Sequence, residues 1–139
     1  MSLAAVPDVP PQLLTFLAFD YGLKRTGVAV GNRMLRTATP QPTIRAHGAA
    51  QLAQAEARVR EWQPDALVVG VPLHPDGAGH ENTARAQKFA RQLRGRLGLP
   101  VYEVDERYST TEALAEGRGG DADAGAACII LEQFLRSLP

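Results

Sequence analysis

The spacing of apolar residues predicts two strands near the start of the chain, followed by a less regular third. Residues 14–19 form a short apolar run rich in strand-forming side chains, and this run ends at the turn that Asp20 begins. Residues 26–30 form a second apolar run, so the two can pair as an antiparallel hairpin with a loop of about four or five residues. Residues 35–44 contain two prolines and three threonines, which predicts an irregular third strand.

The rest of the chain alternates between helix-periodic segments and short apolar runs. Predicted helices cover residues 49–62, 83–97, 109–117 and 123–138, and predicted strands cover residues 66–71 and 101–104. Gly98 is predicted to cap the second helix, and Ser109 with Glu112 forms a capping box for the third. This order predicts an α/β domain with a mixed sheet and helices on both faces.

Composition and charge limit the classes of protein that fit this pattern. The chain has 139 residues, the size of one domain. Its 15 basic and 15 acidic residues give a formal net charge of zero, which excludes a protein that coats nucleic acid by bulk charge. The single cysteine, Cys128, excludes an internal disulfide and a thiolate metal cluster. Residues 1–12 are interpreted as a flexible tail without the basic start of a signal peptide, so we expect a cytoplasmic protein with no membrane partner.

Acidic side chains stand at the ends of the predicted elements. Asp20 ends the first strand, Asp105 and Glu106 follow the last strand, and Asp123 begins the final helix. In open α/β sheets functional groups collect beyond the carboxyl ends of strands, and a cluster of carboxylates there suits Mg²⁺ or Mn²⁺. Each acid also has an ordinary interpretation, as a turn residue, a helix N-cap or a solvated loop residue. Spacing alone does not choose between these alternatives.

Four segments of the chain resemble, in the same order, the motifs of the YqgF family. That family is also called RuvX, and it comprises Holliday-junction-resolvase-like or pre-rRNA nucleases of the RNase H superfamily. The matching segments are the Asp-Tyr-Gly hairpin within 17–30, the strand and loop over 68–77, the Asp-Glu-Arg segment over 104–110, and the closing helix from 123. Together they extend from about residue 17 to residue 135, nearly the whole chain.

The resemblance implies an RNase H-like fold for residues 13–139 and a divalent-metal-dependent nuclease activity. It implies that Asp20, Glu106 and Asp123 are catalytic acids that bind Mg²⁺ or Mn²⁺. Related RuvC-type resolvases place an acid on the middle strand, where residues 69–71 of this chain are Val-Gly-Val. Glu106 would therefore have to supply the missing carboxylate from the next strand.

Several basic residues are candidates for contact with a nucleic acid. Lys24 and Arg25 lie in the first hairpin, and Arg107 follows Glu106. Arg85 and Lys88 lie on a predicted helix that has five basic residues and no acidic one. Lysine and arginine contacts to phosphates supply affinity without reading sequence. The alternative interpretations are solvated turn residues for Lys24 and Arg25, a solvated helix face for the helix cations, and a structural salt bridge for Arg107.

The leading hypothesis is a metal-dependent nuclease that acts on RNA or DNA, in pre-16S rRNA 5′-end processing or in DNA recombination and repair. A non-catalytic nucleic-acid-binding ribosome-assembly factor is the alternative, favoured by the zero net charge and the missing middle-strand acid. A nucleotide-binding phosphotransferase is a third hypothesis, but actin- and hexokinase-like enzymes need two such domains. The oligomeric state stays open between a monomer and a homodimer, which would match the symmetry of a four-way junction.

Overall fold

The computed structural model describes residues 9–73, 81–107 and 122–139, and the five strands within these ranges form one mixed sheet. The antiparallel part of the sheet consists of β1 (Thr15–Asp20), β2 (Arg25–Asn32) and β3 (Thr37–Arg45). β4 (Ala66–Leu73) pairs in parallel with β1, and β5 (Val101–Arg107) pairs in parallel with β4. The spatial order of the strands is therefore β3-β2-β1-β4-β5. The predicted hairpin and third strand are confirmed.

Helices cover both faces of this sheet. The described residues contain α1 (Gly48–Trp62), α2 (Glu81–Leu97) and α3 (Ala122–Arg136). α1 and α2 pack on one face, and α3 packs on the other. The predicted α/β architecture, with a mixed sheet and helices on both faces, is confirmed. Within the described residues, no helix has the length and apolar character that a bilayer crossing requires.

Strand alternation divides the core into two layers, because successive side chains point to opposite faces. Phe16 lies in the α3 layer, where its ring makes an edge contact with Phe134 at 5.6 Å between centroids. Phe19 lies in the other layer and makes an edge contact with Phe89 of α2 at 5.7 Å. β4 is buried continuously from residue 66 to residue 71, since it lies between β1 and β5 and is covered on both faces.

The last strand is longer than the sequence pattern predicts. Its parallel ladder with β4 continues through the pair Val71 and Asp105 and the pair Pro72 and Glu106. The prediction that Asp105 and Glu106 follow the strand was therefore wrong, because both residues belong to β5. The interpretation of Glu106 as a solvated loop acid is also wrong, since only 8% of its surface is exposed.

The ends of the other elements agree with the sequence more closely. Gly98 adopts a positive φ of 68°, and its N–H donates to the carbonyl of Arg94 at 3.0 Å, so the predicted cap of α2 is confirmed. α3 begins at Ala122, which places Asp123 in its first turn. The predicted helix at 109–117, with its capping box, lies outside the described residues.

Part of the predicted tail, residues 1–12, is also outside the described part of the chain. Of its described residues, Val9 is buried in the α3 layer. The Arg33 guanidinium donates to the carbonyl of Pro10 at 2.7 Å and to that of Val9 at 3.3 Å. These contacts attach residues 9–10 to the end of β2.

Candidate active site

Two carboxylates meet at one end of the sheet, on the face that α3 covers. Asp20 is the last residue of β1, and its Cα pairs with Gly27 of β2 and with Gly70 of β4. Glu106 lies on β5, on the other side of β4. The side chains of Asp20 and Glu106 are close enough to share a hydrogen bond across the intervening strand.

Gly70 leaves the space over β4 that the Glu106 carboxylate enters. A Cβ atom at Gly70 would lie 3.1 Å from Oε2 of Glu106 and 2.6 Å from Cδ1 of Ile130. A side chain at this position would thus compete with both neighbours. The carboxylate of Glu106 therefore lies beside the middle strand, at the place where that strand itself has no acid.

The electrostatics of this pair disfavour two negative charges. The pKa of Asp20 is raised well above its ordinary value, first because burial removes water from its carboxyl group, although the residue keeps some exposure. The charge of Glu106, the hydrogen bond with Glu106 and the charge of Asp123 raise this pKa further. Two carboxyl groups joined by a hydrogen bond hold one proton between them, which a cation could replace.

The third candidate acid, Asp123, reaches the same region from the start of α3. A Cβ atom at Gly27 would overlap the backbone carbonyl oxygen of Asp123, so a glycine on β2 is required for this close approach of the helix. The Oδ2 atom of Asp123 lies 3.3 Å from Nε of Arg25, and 28% of the aspartate side chain is exposed. Asp123 thus acts on Asp20 by its charge while its carboxylate pairs with Arg25.

The donor set suits a hard divalent cation at Asp20 and Glu106. Carboxylate oxygens are the ligands that Mg²⁺ and Mn²⁺ prefer, and the repulsion between these two acids is what a cation relieves. Across the described ranges, no three acidic, histidine or cysteine side chains are grouped tightly enough to form a complete cation site. The structure therefore brings two of the three predicted acids together and leaves Asp123 in its ion pair with Arg25.

The predicted basic residues lie in three places. Lys24, in the β1–β2 turn, and Arg25, the first residue of β2, are exposed and line a shallow depression that includes Asp123. Arg85 and Lys88 are exposed on α2, where Arg85 is 3.6 Å from a carboxylate oxygen of Glu81. Arg107 ends β5, and its side chain lies outside the described part of the structure.

Sequence reasoning missed a buried glutamine that holds the β1–β2 turn. Gln51, in the first turns of α1, is 3% exposed. Its Nε2 donates to the carbonyl of Gly22 and to Oγ1 of Thr26, both at 2.7 Å. The sequence signal that could have identified Gln51 is its position next to Leu52, a residue of the apolar stripe of α1. Gln51 thus links the backbone of Gly22 to the side chain of Thr26, on the two sides of Lys24 and Arg25.

The fold belongs to the RNase H-like class. T. thermophilus RuvC, solved in complex with a Holliday junction substrate, superposes with a TM-score of 0.57 at 15% identity, covering 89% of this chain and 94% of that one. The Thermoplasma acidophilum Pelota protein superposes with a TM-score of 0.54 at 12% identity, covering 97% of this chain and 41% of that one. At these identities the likeness shows the fold alone.

The sequence comparisons narrow this class to one family. The RuvX family model, described as Holliday junction resolvase, matches residues 14–137. A Polaromonas relative is 73% identical over the full length of both chains. An Albidiferax ferrireducens relative is 70% identical, covering 94% of this chain and 83% of the relative, and a Burkholderia mallei relative is 55% identical, covering 90% of each. Each of the three is named "Putative pre-16S rRNA nuclease". The chain belongs to the RuvX family, which confirms the resemblance found in its sequence.

Proposed function

We propose that this protein is a divalent-metal-dependent nuclease that hydrolyses phosphodiester bonds near the 5′ end of pre-16S rRNA. The single observation that carries the proposal is the Asp20–Glu106 pair at the end of the sheet, in which Glu106 is buried and Asp20 is partly buried. Burying two adjacent acids costs stability, and such a cost is typical of functional sites. The names of the relatives support rRNA as the substrate and the cytoplasm as the location.

In this proposal Asp20 and Glu106 hold the cation, and Asp123 completes the site. Loading would require the proton between Asp20 and Glu106 to leave, since ligating carboxylates must be ionised. Asp123, whose charge already raises the pKa of Asp20, would turn from Arg25 towards the other two acids. A bound divalent cation supplies activation of water and neutralisation of charge on the phosphate.

The basic side chains of the β1–β2 turn bind the substrate in this proposal. When Asp123 turns away, the Arg25 guanidinium becomes available to a phosphate oxygen, and Lys24 lies exposed beside it. Hydrolysis consumes one water per bond: its hydroxyl joins phosphorus, and its proton goes to the departing oxygen. Gln51 keeps these cations in place by holding the two ends of the turn.

A DNA junction is the second candidate substrate, because the family description is that of a Holliday junction resolvase. A four-way junction has two-fold symmetry, so paired cleavage would need two copies of the chain. This candidate covers the role in DNA recombination and repair, and the same experiment separates it from the first.

The test is cleavage of labelled single-stranded RNA, single-stranded DNA and a four-way junction, with Mg²⁺, Mn²⁺ or EDTA. Wild type is compared with Asp20→Asn and with a matched control, Asp65→Asn, which changes an acid at the other end of the same sheet. We expect metal-dependent cleavage of RNA by wild type and by the control, and none by Asp20→Asn. Binding without cleavage in all three would support the ribosome-assembly alternative and contradict the proposal.

A further inference from the structure

A groove with basic side chains lies between the first turns of α1, the exposed side of α2 and the β1–β2 turn. We call it the α1–α2 groove, and its volume is about 430 Å³. The described residues that line it include three cations of α2 and an apolar wall. The cations are Arg85, Lys88 and Arg96, and the wall consists of Tyr21, Leu23, Leu52 and Phe89.

The charge along this groove is of one sign. No acidic side chain is among its described lining residues. Arg96 is neutralised by Glu56, whose carboxylate lies 2.7 Å from Nε, and Arg85 is loosely paired with Glu81 at 3.6 Å. Lys88 is exposed and makes no ion pair or hydrogen bond with any described residue. Lys88, with Arg85 beside it, can therefore bind an anion without breaking a strong ion pair.

The apolar wall gives the groove a second property. The ring of Tyr21 lies 5.2 Å from that of Phe89 between centroids, so its position is set by packing. Leu23 follows in the turn and is 44% exposed, although it is apolar. An apolar surface beside cations suits unpaired bases, whose flat faces stack while their phosphates meet the cations. In a duplex those faces are hidden, so the wall would have no partner.

The groove adjoins the depression that contains Asp123, because Leu23 lines both. A strand that lies with one phosphate near Asp123 can thus continue past Leu23 towards Lys88. From this adjacency, the positive charge and the accessible part of the wall at Tyr21 and Leu23, we infer that the α1–α2 groove binds a single-stranded extension of the nucleic acid being cut. The inference rests on the proposed function.

The test measures binding in EDTA, so it does not depend on cleavage. The probes are a labelled RNA duplex with a single-stranded extension at either end and the same duplex with blunt ends. Lys88→Ala is compared with Arg91→Ala, which removes a cation from the same exposed helix at a residue that does not line the groove. We expect Lys88→Ala to weaken binding of an extended duplex roughly tenfold and to lower its salt slope by about 0.7, as for one lost phosphate contact. Arg91→Ala should bind like wild type.

The apolar wall has a separate test. Leu23→Ser should weaken binding of the extended duplex and leave its salt slope unchanged, because it removes base contact and no charge. Leu35→Ser, an equally small change at an exposed leucine in the β2–β3 turn, is the control and should have no effect.

The outcomes separate the groove from the activity. If Lys88→Ala and Arg91→Ala bind extended and blunt duplexes equally well, the inference is overturned, whatever cleavage wild type performs. If the extension binds in a Lys88-dependent way while no substrate is cut, the groove is confirmed and the nuclease proposal fails. Equal weakening of blunt and extended duplexes by Lys88→Ala would make the groove a duplex contact and overturn the single-strand assignment.

Discussion

Two aspartates on one sheet show opposite pKa shifts, and their surroundings explain the difference. At the carboxyl end of β1, burial and neighbouring acids raise the pKa of Asp20. At the other end, Oδ2 of Asp65 accepts the N–H groups of Leu14 at 2.8 Å and Thr15 at 3.0 Å, and these bonds lower the pKa of Asp65. Asp65 therefore stabilises the start of β1, whereas an ionised Asp20 destabilises its end. The contrast separates a structural acid from a candidate catalytic one.

The first prediction concerns Asp20→Asn. This change removes an ionisable group from an unfavourable site, so the metal-free variant should be more stable than wild type, with a melting temperature higher by roughly 3 °C for each kcal/mol relieved. Activity should fall by at least about a hundredfold, because the change removes a proposed metal ligand. Groups that only orient such ligands already cost up to about that factor when they are mutated. Calorimetry in EDTA and a cleavage assay with Mn²⁺ measure the two effects. A variant that is less stable than wild type would contradict the assigned electrostatics.

The second prediction is the pH dependence of stability without metal. The raised pKa of Asp20 means that its folded state keeps a proton, so this contribution is complete below the ordinary value of 3.8 and is lost as pH rises through the folded pKa. The lowered pKa of Asp65 acts in reverse: its contribution is present above 3.8 and is lost as pH falls.

Melting temperatures measured from about pH 3 to about pH 8 in EDTA test both signs at once. The melting temperature of Asp20→Asn should rise relative to that of wild type as pH rises. Asp65→Asn should melt below wild type at neutral pH, because it lacks the stability that the ionised Asp65 contributes. A constant difference across the range for either variant would contradict the corresponding pKa shift.

At the scale of elements, glycines of β2 determine how closely α3 approaches the sheet. A Cβ at Gly27 would overlap the carbonyl oxygen of Asp123, whereas a Cβ at Gly31 would meet Leu131 at 2.8 Å, farther along the helix. Both contacts are too close, but only the first lies at the candidate active site. The position of Asp123 thus depends on a residue that has no chemistry of its own.

The third prediction follows from these glycines. Gly27→Ala and Gly31→Ala should each destabilise the fold by about 1–3 kcal/mol, as overpacking does. Gly27→Ala should also reduce the activity of the folded fraction, because the start of α3 must move away from Asp20. Urea titration gives the stabilities, and cleavage well below the unfolding transition gives the activities. If the two variants lose activity equally, the approach of α3 at Gly27 is not what positions Asp123.

The fourth prediction concerns the link between α1 and the β1–β2 turn. Gln51→Leu removes both donors and leaves the carbonyl of Gly22 without this partner, so we expect a loss of about 1–3 kcal/mol. KM for a nucleic-acid substrate should rise more than kcat falls, since the turn carries the cations proposed to bind substrate and none of the proposed metal ligands. Gln51→Glu keeps the shape of the side chain but offers no amide donor, so it should not rescue KM. A fall in kcat alone would contradict this role.

The sequence predicted elements better than it predicted contacts between them. The apolar run of β4 and the apolar stripes of α1 and α2 have strong local signals, because the spacing of apolar residues within each segment shows which of its faces are buried. The length of β5 has no such signal: Glu106 joins a strand only because a parallel ladder with β4 continues to Arg107. The Arg25–Asp123 ion pair likewise joins residues far apart in the chain, which spacing cannot show.

At the scale of the whole molecule, the acidic pair and the α1–α2 groove lie on opposite faces of the sheet. The α3 layer carries the acids at its end, and the opposite layer supports the α1–α2 groove. With equal numbers of acidic and basic residues, the molecule cannot attract nucleic acid by net charge. Local cations must supply the attraction, so each of them matters more than it would on a strongly basic protein.

The last prediction joins stability to the proposed cation. A ligand that binds only the folded state stabilises it by RT ln(1 + [L]/Kd), or about 2.7 kcal/mol at one hundred times Kd. Wild type should therefore gain stability with added Mn²⁺, while Asp20→Asn, which lacks the repulsion and a ligand, should gain little. In EDTA the variant should therefore be more stable than wild type, and the difference in stability should shrink or reverse as Mn²⁺ is added. Titrations with Ca²⁺ and Mg²⁺ give the ion preference. Parallel titration curves for the two proteins would mean that Mn²⁺ binds elsewhere and that the acidic pair is not its site.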